Sequence, residues 1–420
     1  MTPEIKQRID KICHGEVPEG YQRTFLGIAP KSWDKLRIDK ICRLSSGSTP
    51  RRDAVENFAG DILWVTSGEL KRRTIEDTRE KISETAVVNS HLEIYDPGTV
   101  VIAIYGLEAA GIRGTVSIIG KQCTISQACM AFTEFKGIDN EFFYYWYLNN
   151  GQVIGLRYAQ GTKQQNLSTD IVGSFPICFP SQGEQQRIAS ILTTQDKVIE
   201  LKEKRLTEKQ RQKKYLMQQL LTGKKRLPGF YGAWSFPKAK ELFQSVSDKE
   251  HNGDLAVLSS TQDRGIVPRN EVDIDIKYDA CSLVNYKKVS KGNFVISLRS
   301  FQGGIEYSTY TGLVSPAYTV LSSRKEISDG YYKQFFKSTD YINRLNVAVY
   351  GIRDGKQISY EDFGRLRIPY PPIKEQDAIA EVLSTADHEI NLLQQDIEQE
   401  KQKKKALMQL LLTGILRVKT

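Results

Sequence analysis

A stretch of 40 residues occurs twice in this chain, at a constant offset of 191 and with no gap. The first copy opens on Glu184-Gln185 and closes on Leu220-Leu221-Thr222-Gly223. The second opens on Glu375-Gln376 and closes on Leu411-Leu412-Thr413-Gly414. From Glu184/Glu375 to Gly223/Gly414, 18 of the 40 paired positions are identical. An internal repeat constrains a fold more than any other sequence signal. Here the copies are separated by residues that do not repeat clearly. That pattern predicts two different modules, each followed by the same kind of connector.

Each connector has helical periodicity. Ile188, Leu192, Gln195, Ile199, Lys202, Leu206, Lys209, Lys213, Leu216 and Leu220 are spaced alternately by four and three. The second copy places Ile379, Leu383, Ala386, Ile390, Leu393, Ile397, Glu400, Lys404, Leu407 and Leu411 in the same way. A 3.5-residue period is that of helices packed in a coiled coil. Neither span contains an interior Pro or Gly. Gly223 and Gly414 stand where a helix C-terminal cap is expected. Pro180 and Pro371-Pro372 mark the approaches. Some 39 residues at 1.5 Å rise make a rod of roughly 58 Å, too long for the core helix of a small domain. Its apolar stripe needs a partner, and the other copy is the obvious one. Residues 184–226 hold 12 basic and 5 acidic residues, a net +7, whereas 375–420 hold 6 and 8, a net −2. Unlike charge favours pairing between copies over self-pairing.

The modules, at roughly 1–180 and 224–372, share fainter marks. Each opens on an aromatic-glycine turn and a tryptophan: Gly20-Tyr21 then Trp33, and Gly229-Phe230 then Trp234. Each closes on a glycine, a basic and amide cluster, and a serine: Gly161 to Ser168, and Gly351 to Ser359. Strand-like runs lie at 61–65, 98–103, 293–297 and 317–321, and aromatic helix candidates at 140–148 and 329–337. The reading is two mixed α/β modules with long loops and unlike middles.

The chain of 420 residues has a net charge of +9 and a pI near 9.0. A polyanionic partner is compatible with that balance, although net charge alone does not identify one. The six cysteines form no CxxC pair, which fits free thiols in a reducing compartment. Met1 to Asp10 is charged, so no secretory leader is expected. No apolar run approaches the ~18–20 residues of a membrane span.

Several stretches have a familiar form. They are Gly47-Ser48-Thr49-Pro50 with 60–68, then 98–106 with Thr124-Ile125-Ser126-Gln127-Ala128, and Val314-Ser315-Pro316-Ala317-Tyr318. Together with the repeated Glu-Gln-x-x-Ile-Ala … Leu-Met-Gln-x-Leu-Leu-Thr-Gly helices, they make the whole chain resemble the specificity subunit of type I restriction–modification enzymes. The Gly-Ser-Thr-Pro element has no evident counterpart in the second module.

The resemblance implies an α+β fold in which two target-recognition domains are separated by two long antiparallel coiled-coil helices, in a pseudo-two-fold arrangement. Its expected boundaries are 1–183 and 224–372 for the domains, and 184–223 and 373–420 for the helices. It implies a non-catalytic, cytoplasmic DNA-recognition subunit. Each domain would read one half of a bipartite target, while the helices would set the spacer and dock two methyltransferase subunits. Two restriction/translocase subunits would join the complex. S-adenosylmethionine, ATP and Mg2+ would belong to those partners, leaving no cofactor or metal on this chain. Readers on one face of DNA want half-sites about one turn apart, ~34 Å, and a rod of ~58 Å is long enough to set that separation.

Base edges are read by Arg or Lys on guanine and by Asn or Gln on adenine. The loop candidates in the first module are Ser48, Arg51, Arg52, Tyr105, Arg113, Lys163, Gln164, Gln165 and Asn166. In the second they are Gln262, Arg264, Arg299, Gln302, Tyr307, Arg353, Lys356 and Gln357. The clusters at 163–166 and 353–357 are favoured because they occupy equivalent places. No Walker phosphate loop is present, and the four histidines lack metal-ligand spacing. Two readings of another class stay open at this level: a coiled-coil scaffold between protein-binding modules, and a nuclease with an unfamiliar active site.

Overall fold

The structure is a computed structural model that describes residues 2–104, 114–158, 167–272, 280–348 and 358–418. It divides into two compact units, one of Met1–Leu201 with Ile397–Thr420, the other of Lys202–Asp396. Each unit therefore holds one module and a part of each long helix.

In the first unit a five-stranded sheet runs in the order Arg43–Ser46, Cys129–Thr133, Val100–Ala103, Val116–Ile119, Thr74–Ile75. Val100–Ala103 is buried along its whole length because both faces are covered. Side chains alternate across a strand. Val100 and Ile102 accordingly join Phe132, Phe142, Phe143 and Tyr147 in one core, and Val101 and Ala103 join Leu63, Val65, Cys123 and Ile125 in another. That second layer is a three-stranded sheet with Ile62–Val65 at its centre. The covering helix, Asn140–Tyr158, buries six consecutive residues from Phe142 to Tyr147. A helix apolar all round belongs inside a core. The candidate helix at 140–148 is therefore real and longer than its aromatic run.

The second unit repeats this logic with a smaller sheet, ordered Phe243–Val246, Thr319–Ser323, Phe294–Ile296, Glu306–Tyr307, all antiparallel. Phe294, Ile296 and Leu321 face the aromatic helix Asp329–Phe335, while Val295 and Val320 face Leu258, Ile266, Val289 and Val314.

The repeated segments are the helices Gln182–Leu220 and Ile373–Leu412. All twenty positions of the 3.5-residue stripe are buried or half-buried. The helices pair antiparallel within each unit. In the first, Gln195 Nε2 donates to Glu400 Oε2 at 2.6 Å, and Lys404 meets Asp196 at 2.6 Å. In the second, Lys202 meets Asp396 at 2.8 Å, Lys209 meets Glu389 at 2.7 Å and Lys213 meets Asp387 at 2.5 Å. The polar residues of the stripe thus act as cross-helix partners that fix register.

Both helices end alike. Gly223 N–H bonds the Leu220 carbonyl at 3.3 Å and Gly414 N–H the Leu411 carbonyl at 3.2 Å, and beyond them Lys225 N–H reaches back to the Gln219 carbonyl at 3.1 Å and Leu416 N–H to the Leu410 carbonyl at 2.9 Å, a glycine C-cap. It requires the left-handed backbone of Gly223 (φ +71°) and Gly414 (φ +68°). A Cβ on Gly414 would also stand 2.9 Å from the Trp33 ring. Among the described residues no helix is long and apolar enough to cross a membrane.

Candidate nucleic-acid interface

The repeated Glu-Gln pair shows how each module is fastened to its helices. Gln185 and Gln376 are almost fully buried at 1% and 0% exposure. The Gln185 amide donates to the Pro180 carbonyl at 2.9 Å and accepts from Asp139 N–H at 2.7 Å, just before the aromatic helix. Gln376 donates to the Pro371 carbonyl at 2.8 Å and accepts from Ser328 N–H at 2.9 Å. The neighbouring glutamates accept bidentate bonds from an arginine. Arg417 lies 2.7 Å from both Glu184 oxygens, and Arg226 lies 2.5 and 2.6 Å from those of Glu375. Each guanidinium also lies over a tryptophan, Arg417 on Trp33 at 5.8 Å and Arg226 on Trp234 at 5.2 Å.

On this scaffold the first module presents the loop at 47–53. Gly47 passes so close to the 125–126 backbone that a Cβ would lie 1.9 Å from the Ile125 carbonyl oxygen, so only glycine fits. Trp64 Nε1 donates to the Ser48 carbonyl at 3.2 Å, and Asn57 to the Arg51 carbonyl at 3.0 Å. Arg51 projects outward, 83% exposed, with Asp53 at 2.7 Å as its partner. Arg52 instead turns back onto Glu80 at 2.6 and 3.0 Å and covers Phe58 and Trp64. These two adjacent arginines therefore have different work, one presented and one bracing the loop.

In the second module Gln262 and Arg264 occupy the turn between strands Leu258–Thr261 and Gly265–Pro268, and Arg299 and Gln302 the short helical turn after Phe294–Ile296. All four are exposed. Arg264 donates to the Glu271 carbonyl at 2.8 Å. Tyr307 is half-buried, its hydroxyl donating to Asp329 at 2.9 Å and its ring packed on Phe294 at 5.2 Å. Burial, then that carboxylate, pushes its phenol up to about 12. Tyr105, Arg113, Lys163, Gln164, Gln165, Asn166, Arg353, Lys356 and Gln357 lie outside the described residues.

Beside the candidate Arg299 the structure adds Arg269, Lys287 and Lys249, which sequence patterning did not single out. Arg269 and Arg299 both act on Tyr318, whose phenol burial raises and whose ionised form they favour. Lys287 donates to the Tyr318 carbonyl at 2.7 Å. Burial, then the nearby charge of Lys249, pulls its ammonium down. Isolated basic residues on a strand, two turns and a loop carry no linear signal of their grouping.

The model of the type I restriction modification DNA specificity domain matches residues 30–211 and again 232–402. The chain belongs to that family. Similarity to individual members is moderate. The chain is 29% identical to the type I restriction enzyme MjaIX specificity subunit of Methanocaldococcus jannaschii over 188 residues, 44% of this chain and 42% of that protein. It thus spans less than half of that relative's length. With the MjaVIII specificity subunit of the same organism it shares 23% identity over 419 residues, 93% of this chain and 94% of the relative. The fold is also that of the type I restriction-modification S subunit from M. genitalium, at TM-score 0.55 and 14% identity over 90% of this chain and 96% of that one. A chain from a structure on complex assembly and conformational transition of the type I R-M system gives 0.57 and 16%, over 92% and 99%. The double match to the specificity domain falls on the two modules, and each match runs into a long helix.

Proposed function

We propose that this chain is the sequence-reading subunit of a type I restriction–modification complex, with each module recognising one half of a bipartite double-stranded DNA target. One observation carries the reading: the specificity-domain model matches twice, over two modules with one anchoring scheme and unlike loops. Unlike readers imply an asymmetric target, unlike the palindrome read by a homodimer. Of the residues on described loops, Arg51, Gln262, Arg264, Arg299 and Gln302 have the exposure and chemistry to meet base edges. The clusters at 163–166 and 353–357 keep the same assignment from their sequence. Arg269, Lys287 and Lys249 suit phosphate.

The paired helices serve as ruler and as the dock for two methyltransferase subunits, with two restriction/translocase subunits completing the complex. Methyl donor, ATP and Mg2+ act on those partners. The chain itself is non-catalytic and works in the cytoplasm. Methylation mapping of DNA from cells expressing the chain with its methyltransferase tests this. The expected result is one bipartite sequence with a fixed unspecific spacer. Methylation without sequence preference would overturn the reading.

A further inference from the structure

In the second unit one ammonium joins two turns that lie far apart in sequence. Lys337 follows the helix Asp329–Phe335. Its Nζ donates to the Gln262 carbonyl at 3.2 Å and to the Gly303 carbonyl at 2.9 Å, and it also bonds the Glu306 carboxylate. Glu306 is buried, at 2% exposure. Three acceptors match the three N–H groups of an ammonium. With its hydrogens used and its side chain 27% exposed, Lys337 has little left to offer a phosphate or a base.

The two turns touch. A Cβ on Gly303 would lie 2.8 Å from Gln262 Cγ. The next residue, Gly304, has φ +81°, and a Cβ there would stand 2.0 Å from the Phe336 carbonyl, so the backbone beside the lysine is fixed from the other side. The exposed side chains on these turns are Gln262, Arg264, Arg299 and Gln302. Amides and guanidinia are the groups that read adenine and guanine edges. Reading needs them held to within about 0.5 Å as a set, and a free turn would lose conformational entropy on being ordered.

We infer that Lys337 is a positioning residue for DNA reading. It locks the 261–264 and 299–304 turns into one surface, so that their four side chains meet the bases of one half-site together. This rests on the assignment of the chain as a DNA specificity subunit.

The test uses the full chain, co-expressed with its methyltransferase, and compares wild type with Lys337→Met by methylation mapping. The expected result is a loss of about tenfold in discrimination against mismatches at the half-site read by the second module, the size of one good base contact. Discrimination at the other half-site stays unchanged, and Lys337→Arg restores part of the loss. Wild-type discrimination by Lys337→Met at both halves would overturn the inference, as would equal relaxation of both halves. If Lys337→Met fails to fold in thermal melting, Glu306→Gln decides. It removes the charge that holds the ammonium between the two turns and leaves the four reading side chains in place. A changed preference confined to the same half-site supports the inference, and an unchanged one overturns it. A wild type without any sequence preference sinks the specificity assignment itself, an outcome distinct from a selective wild type matched by its variants.

Discussion

Glu184 and Arg417 form a bidentate pair at 2.7 Å, and 191 residues away in each partner Glu375 and Arg226 form it again at 2.5 and 2.6 Å. The duplication thus survives as a duplicated contact. Glu375 is fully buried and also accepts the Trp234 indole N–H at 2.9 Å, so both of its oxygens are occupied. A buried carboxylate is tolerable only when satisfied in this way.

Removing one partner therefore costs more than the pair contributes. Arg226→Ala is expected to destabilise the second unit by about 3–5 kcal/mol, because it leaves the Glu375 charge buried. Glu375→Gln, which keeps a polar group facing Trp234, is expected to cost less. Urea unfolding of the two variants checks the order, and equal losses would count against the buried-charge argument.

Much of the helical scaffold is legible in the sequence. The stripe from Ile188 to Leu220 is visible because coiled-coil packing imposes a strict period, and every stripe residue is covered in the fold. The glycine caps are visible because few residues other than glycine take φ near +70° readily. The Arg226 and Arg417 contacts are not, although both arginines stand at the repeat offset just past the aligned segment. Ion-pair partners 149 and 233 residues apart carry no local pattern. Arg51 and Arg52 look alike in the sequence for a related reason: composition marks a basic loop, while the Glu80 and Trp64 that capture Arg52 arrive from other parts of the chain.

That difference predicts separable effects. Arg52→Ala is expected to lower stability by about 1 kcal/mol, losing an exposed ion pair and a cation–π contact, visible as a fall in melting temperature. Arg51→Ala is expected to leave melting unchanged and to weaken discrimination at the first module's half-site only. Similar melting temperatures for the two variants would remove the distinction.

Glu306 gives the second unit a pH dependence. Burial raises its carboxyl above the ordinary 4.5, reinforced by Asp263 and opposed by Lys337. A carboxylate whose folded pKa is raised contributes stability that is complete below its unfolded value and lost as pH climbs through the folded value. Stability should thus decline as pH rises from about 4.5 through that raised value, on top of the opposite trend from carboxylates such as Glu80, which Arg52 holds low. In Glu306→Gln the decline should vanish. Denaturant midpoints measured across pH for both proteins check this, and parallel curves would refute it.

The paired helices make a mechanical prediction. Four residues added to the first helix near Lys204, with four opposite in the second near Leu393, lengthen each by about 6 Å, close to two base-pair steps at 3.4 Å each. Cross-helix pairs such as Lys202–Asp396 and Lys209–Glu389 flank the insertion and can keep their partners, since both strands of the coil grow equally. The loops that carry Arg51 and Gln262 are untouched. Methylation mapping should then show the unspecific spacer lengthened and both half-sites unchanged. A changed half-site, or an unchanged spacer with full activity, would rule out the helices as the ruler.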